Sequence, residues 1–183
     1  ILTPYFKANQ RKKLILYNLM EYSDLTLDDL VQKMDVSKST IVNDIKDIKK
    51  TLSSMGISMY YSKHYQFGGN EFSIRNMYLK LLGYIPFKKD EIESKVVQLN
   101  QKYEYSLSDY NLYYLSKFIR FINQRIKENC FIKRTDLSVA PVEVEIPEEF
   151  LKLILSDHEI EKEYFKQYLL SMLHVELEEV DKI

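Results

Sequence analysis

Residues 35–56, DVSKSTIVNDIKDIKKTLSSMG, constrain the fold most, because they specify a helix, both of its ends and its buried side. Ile41, Ile45, Ile48 and Leu52 recur at helical spacing and form one apolar stripe. At about 100° per residue, Ser39, Asn43, Lys46 and Lys50 lie roughly opposite that stripe. They make a polar and cationic row with no carboxylate at its centre, which suits a DNA major groove. Ser37 is placed to cap the first turn, whose free amides and dipole also favour a phosphate. Gly56 is the residue type that ends a helix in the left-handed conformation.

The flanking segments complete a module. Upstream, after a lead-in containing Pro4, residues 10–22 read as a helix with Leu14, Ile15, Leu19 and Met20 on its apolar face. Arg11, Lys12 and Lys13 stand at its start, where cations oppose the helix dipole; an external anion is one reason for them, a solvated basic end the other. Thr26 with Asp29 is a capping-box pattern that opens a short helix carrying Leu30, Val31 and Met34. Asp35-Val36-Ser37 then makes the tight turn, with Val36 inward. Beyond Gly56, residues 57–62 and 66–69 are β-prone around Lys63-His64-Tyr65, so a β-hairpin wing is expected with Lys63 and His64 at its tip.

The fold class expected from this order is mainly α: a winged helix-turn-helix of three helices plus a β-hairpin, followed by an all-helical bundle. With four glycines and four prolines in 183 residues, little of the chain is left for turns and linkers. A helix over 71–83 offers Phe72, Met77, Leu81 and Leu82 to the next layer, and Tyr84-Ile85-Pro86 marks a boundary between domains 1–83 and 84–183. The first carries 12 Lys and Arg against 8 Asp and Glu, the second 14 against 19, so the halves suggest different partners. In the second, a helix over 90–103 places Ile92, Val96, Leu99 and Tyr103 on one face. A longer one, from Ser108 to about Asn129, aligns Leu112, Leu115, Ile119, Ile122 and Ile126 as the seam of a bundle or a dimer. Residues 131–146 read as a loop or edge strand. Pro147 suits a first helical turn carrying Phe150, Leu151 and Ile154. Asp157 is expected to cap a last helix with Ile160, Tyr164, Tyr168, Leu169, Met172 and Leu173 inward and an acidic end at 176–181.

Catalytic chemistry finds no support. His64, His158, His174 and Cys130 do not fall at metal-ligand spacing. Ser156-Asp157-His158 holds the residue types of a hydrolase triad, but adjacent residues cannot face one another as a triad requires. Gly68-Gly69 lacks the lysine and hydroxyl of a phosphate loop. Neither an enzyme, a metal site nor a cofactor is expected. One cysteine, no apolar run of membrane-spanning length and no signal-peptide pattern point to a cytoplasmic protein away from membranes, and the start at Ile1 to a fragment.

The pattern resembles Mga-like and PRD-containing transcription regulators. The resemblance rests on Leu25-Thr26, Leu30, Val36-Ser37, Thr40, Asp44-Ile45, Ile48 and Leu52, and continues through Gly56-Ile57 to Gly69-Asn70-Glu71 and Arg75, a G-x-E-x-x-x-R ending. It is weaker in residues 84–183, where Leu115, Ile119 and Asn123-Gln124-Arg125 carry it. The resemblance implies a regulatory domain answering to phosphotransferase-system proteins, in sugar or virulence control, and a second helix-turn-helix module upstream. It also implies a phosphoacceptor just after Leu115-Ser116-Lys117, where this chain has Phe118; His174 is then the remaining candidate. Duplex DNA and a second copy of the chain are the expected partners. Ser39, Thr40 and Asn43 would reach base edges, Asn43 pairing bidentately with adenine. Ser37, Lys38, Lys46, Lys50, Lys63 and His64 would hold phosphates. The alternative is a protein-interaction module with no salt-dependent affinity for DNA.

Overall fold

The computed structural model describes residues 7–137 and 144–180, with side chains as far as Leu173. The chain forms two compact units, Ile1–Ile85 and Pro86–Ile183.

In the first unit the order is α1 (Ala8–Glu21), α2 (Leu27–Met34), α3 (Lys38–Ser54), β1 (Ile57–Ser62), β2 (His64–Gly69) and α4 (Glu71–Leu82). α2 opens with the expected capping box: Thr26 Oγ1 accepts from the Asp29 amide at 3.2 Å, and the Asp29 carboxylate accepts from the Thr26 amide at 2.8 Å. Asp35 ends it in the left-handed conformation (φ 52°), which a short polar residue tolerates, and the turn to α3 is made there. Ile15, Leu19, Leu30, Ile41, Ile45, Ile48, Leu52 and Ile57 are all buried, so the stripe of α3 is the centre of this core.

The hairpin is tighter than the expected three-residue tip. Strands β1 and β2 pair antiparallel from Ile57 opposite Gly69 to Ser62 opposite His64, and Lys63 alone reverses the chain in the left-handed region (φ 62°). At the base of the wing the Asn70 amide donates to Gly56 O at 3.2 Å, and a Cβ on Gly69 would lie 2.3 Å from that same oxygen. Asn70 then caps α4 by accepting from the Ser73 amide, and Glu71 and Arg75 form a buried ion pair at 2.9 Å. The G-x-E-x-x-x-R ending is thus a close approach, a cap and an internal salt bridge in succession. Ile74, Tyr78, Leu81 and Leu82 fill the core from α4, whereas Phe72 and Met77 stay half-exposed, because the helix turns the Glu71–Arg75 side inward.

The second unit is helical: α5 (Ser94–Lys102), α6 (Asp109–Lys127), α7 (Glu148–Leu151) and α8 (Glu159–Val180), with 3-10 turns at Lys89–Glu91 and Arg134–Asp136. The helix expected from Asp90 begins only at Ser94. Glu91 is engaged by Lys117 and Lys88, and the Glu93 amide donates to Ser116 Oγ at 3.0 Å, which holds Ile92 extended. Leu112, Leu115, Ile119 and Ile122 are buried within a single chain, so this much of the α6 seam is bundle core, whereas Ile126 at its end is half-buried. Phe118 has no exposed surface and packs on Tyr168 with ring centroids 4.4 Å apart. Burial and the neighbouring Tyr164 and Tyr114 push the Tyr168 hydroxyl well above its usual range.

Residues 138–143, with Pro141 and Val142, lie outside the described residues; the rest of 131–146 shows no strand. His158, and not Asp157, precedes α8: its carbonyl accepts from the Glu161 and Lys162 amides, and Ser156 Oγ holds its own amide at 3.1 Å. Tyr164, Phe165, Leu169, Leu170 and Met172 face inward. Ile160, Tyr168 and Leu173 are half-buried. The His174 side chain is outside those described. Among the described residues no helix is long and apolar enough to cross a membrane.

Candidate nucleic-acid interface

The exposed side of α3 is set by what its other side must do. Ile41, Ile45, Ile48 and Leu52 point into the core, and the neighbouring Asp44, also buried, accepts from Arg11 of α1 at 2.6 and 3.2 Å. One turn on, Asp47 takes Lys12 at 2.5 Å, and this bond and charge hold its carboxyl below the usual range. Lys13 lies over the ring of Tyr84, 3.6 Å from its centroid. The cationic triplet therefore meets groups of its own unit; of the two acids it engages, Asp44 is buried, whereas Asp47 keeps 61% of its side chain exposed. An external anion is not needed to explain Arg11 or Lys12.

What remains outward is the row Ser39, Asn43, Lys46 and Lys50, all exposed. Among the described residues Asn43 makes no side-chain hydrogen bond, and Lys46 and Lys50 form no ion pair. The N-terminal residues are more engaged. Ser37 Oγ accepts from the Thr40 amide at 3.2 Å and lies 2.9 Å from Ser39 Oγ and 2.8 Å from Thr40 Oγ1. Thr40 is half-buried, and Lys38 is held loosely by exposed Asp28 at 3.2 Å.

The wing brings a group that periodicity alone does not reveal. Lys63 is exposed at its tip, but His64 belongs to β2, half-buried with its Nε2 3.3 Å from Gln66 Nε2. A single left-handed residue makes the reversal, so His64 is drawn into the ladder instead of standing at the tip. Tyr61 and Tyr65 face each other across the strands at 5.1 Å, edge to face, and Lys49 of α3 lies 5.9 Å from the Tyr65 ring. Burial and the facing Tyr61 raise the Tyr65 hydroxyl above its usual value. The signal available in sequence was the spacing of Tyr61 and Tyr65 about Lys63, which makes them partners only once the one-residue turn is known.

Residues 1–82 match the Mga helix-turn-helix domain. A protein of Streptococcus mutans serotype c, described as "Putative transcriptional regulator MtlR", is 32% identical over 78 residues. That alignment covers 42% of this chain and only 12% of the relative's length. The winged module of three helices, hairpin and closing helix is thus the part of the chain that is similar to the Mga helix-turn-helix domain.

Proposed function

We propose that the first unit reads duplex DNA through the outer row of α3, and that the chain is part of a cytoplasmic, non-enzymatic transcription regulator. The observation that carries the reading is the contrast along one helix. Asp44 is buried against Arg11 and the exposed Asp47 is paired with Lys12, while Asn43, Lys46 and Lys50 stand exposed beside one another, the two lysines in no ion pair among the described residues. Asn43 and Ser39, with Thr40, reach base edges; Lys46, Lys50, Lys38 and Lys63 hold the backbone, and the free amides of the α3 N-terminus at Ser37 add a phosphate site. The half-buried His64 supports the wing from within its strand and contacts phosphate only at its edge.

The second unit is read as a PRD-like regulatory and dimerisation domain, a role supported by the sequence resemblance. Its partners on this reading are a second copy of the chain and phosphotransferase-system proteins, with His174 the candidate phosphoacceptor.

The test is fluorescence anisotropy with duplexes selected from a random pool, run at several salt concentrations against a matched RNA hairpin. Asn43→Ala is expected to weaken the selected site by about 1–3 kcal/mol and relax one base position. Lys46→Ala is expected to weaken all duplexes and reduce the salt slope by about one. Absence of salt-dependent duplex binding, or equal binding to the hairpin, overturns the reading and leaves a protein-contact module.

A further inference from the structure

A groove of about 370 Å³ lies within the first unit, between α1, the C-terminal half of α3 and α4. Ligand pockets start at roughly this size, and are mostly apolar with a few placed polar groups. Leu16, Ile48, Leu52 and Leu81 line this one, with Met55 and Met77 beside them, two flexible side chains able to fit varied shapes. Met55 keeps 47% of its surface exposed although it stands against the core.

The polar groups on the lining are not balanced in charge. Lys12 is matched by Asp47 at 2.5 Å. Lys13 and Lys80 also line the groove, and among the described residues neither forms an ion pair. Lys13 rests on Tyr84, whose hydroxyl is held below its usual value by the lysine's hydrogen bond and charge. Lys80, one turn before Tyr84 on the same side of the chain, is exposed. An apolar floor with two ammonium groups that pair with no carboxylate among the described residues is complementary to a ligand with an apolar body and one anionic head.

We infer that this groove binds a small amphiphilic carboxylate, its apolar body on Leu16, Ile48 and Leu52 and its head between Lys13 and Lys80. The site lies apart from the outer row of α3, so the inference stands independently of DNA reading. A ligand there touches Asp47, Thr51 and Met55 of α3 as well as Lys12 of α1, and so bridges the two helices that the Lys12–Asp47 pair already joins.

The experiment is a titration of the full chain, labelled at its methionine methyl groups, with sodium decanoate below its micelle concentration and with the neutral 1-decanol. Decanoate is expected to shift the Met55 and Met77 resonances saturably and to leave Met34 and Met59, buried elsewhere in the unit, unmoved. The double variant Lys13→Met, Lys80→Met keeps the apolar stems and is expected to weaken decanoate about fivefold, with decanol unaffected. Equal affinity of the wild type for decanol and decanoate overturns the anionic assignment even if the variant fails to fold. Uniform shifts at all methionines, or none that saturate, overturn the site itself.

Discussion

Arg75 has no exposed surface, and Glu71, one helical turn earlier, supplies its counter-charge at 2.9 Å. Removing one member of such a pair takes away an interaction that offsets the other's buried charge, which costs more than the pair contributes when intact. Glu71→Gln is therefore expected to destabilise the first unit by about 3 kcal/mol, measured as a shift of its urea midpoint at unchanged slope. The family resemblance placed these two residues in one motif, without showing that they pair. Nor did the sequence show Arg11 and Asp44 as a pair. Thirty-three positions separate them, and Asp44 sits at the edge of an apolar stripe where periodicity alone gives an acid no partner. The same long-range blindness hid Lys49 beside Tyr65.

The winged hairpin is closed by two glycines whose demands differ. Gly69 has φ 103° and its missing Cβ would meet Gly56 O at 2.3 Å, whereas Gly56 has φ 74° with open space around it. Gly56→Ala is expected to cost about 1 kcal/mol, the left-handed penalty alone. Gly69→Ala adds a clash with backbone and is expected to cost about 2–3 kcal/mol, with loss of protection at the wing amides in hydrogen exchange. Helices were the most legible elements, because caps and apolar spacing agreed: Thr26, Ser37 and Ser108 all accept from the first turn of the helix that follows. The start of α5 was not legible. Asp90 to Glu93 carries helical residue types, but the pull of Lys117 and Ser116 on Glu91 and Glu93 comes from a helix 20 and more residues away.

At the scale of the whole molecule, the second unit has an ion pair of its own to set beside those of the first. Burial by itself raises the Glu91 carboxyl, but hydrogen bonds and charge from Lys117 and Lys88 outweigh it and hold the group below its usual value. A carboxyl lowered in the folded state adds stability that is complete above its unfolded pKa of about 4.3 and fades as pH falls through the folded value. Glu91→Gln is expected to lower the stability of residues 86–173 by about 2 kcal/mol at neutral pH, a figure moderated by the partial exposure of Glu91. The difference from wild type is expected to shrink below about pH 4.3, and amide exchange in residues 7–85 to stay unchanged.

The ties from α1 to Asp44 and Asp47 carry a consequence for genetics. On the proposed reading, a screen for regulators that have lost their operator will return Arg11 and Asp44 together with Asn43 and Lys46. On that reading Arg11 acts from within the unit; its loss leaves the buried Asp44 without the cation that holds it. Affinity alone will not sort the two classes, but ionic strength will. Arg11→Ala is expected to bind more weakly with the wild-type salt slope, because the set of phosphate-neutralising lysines is intact.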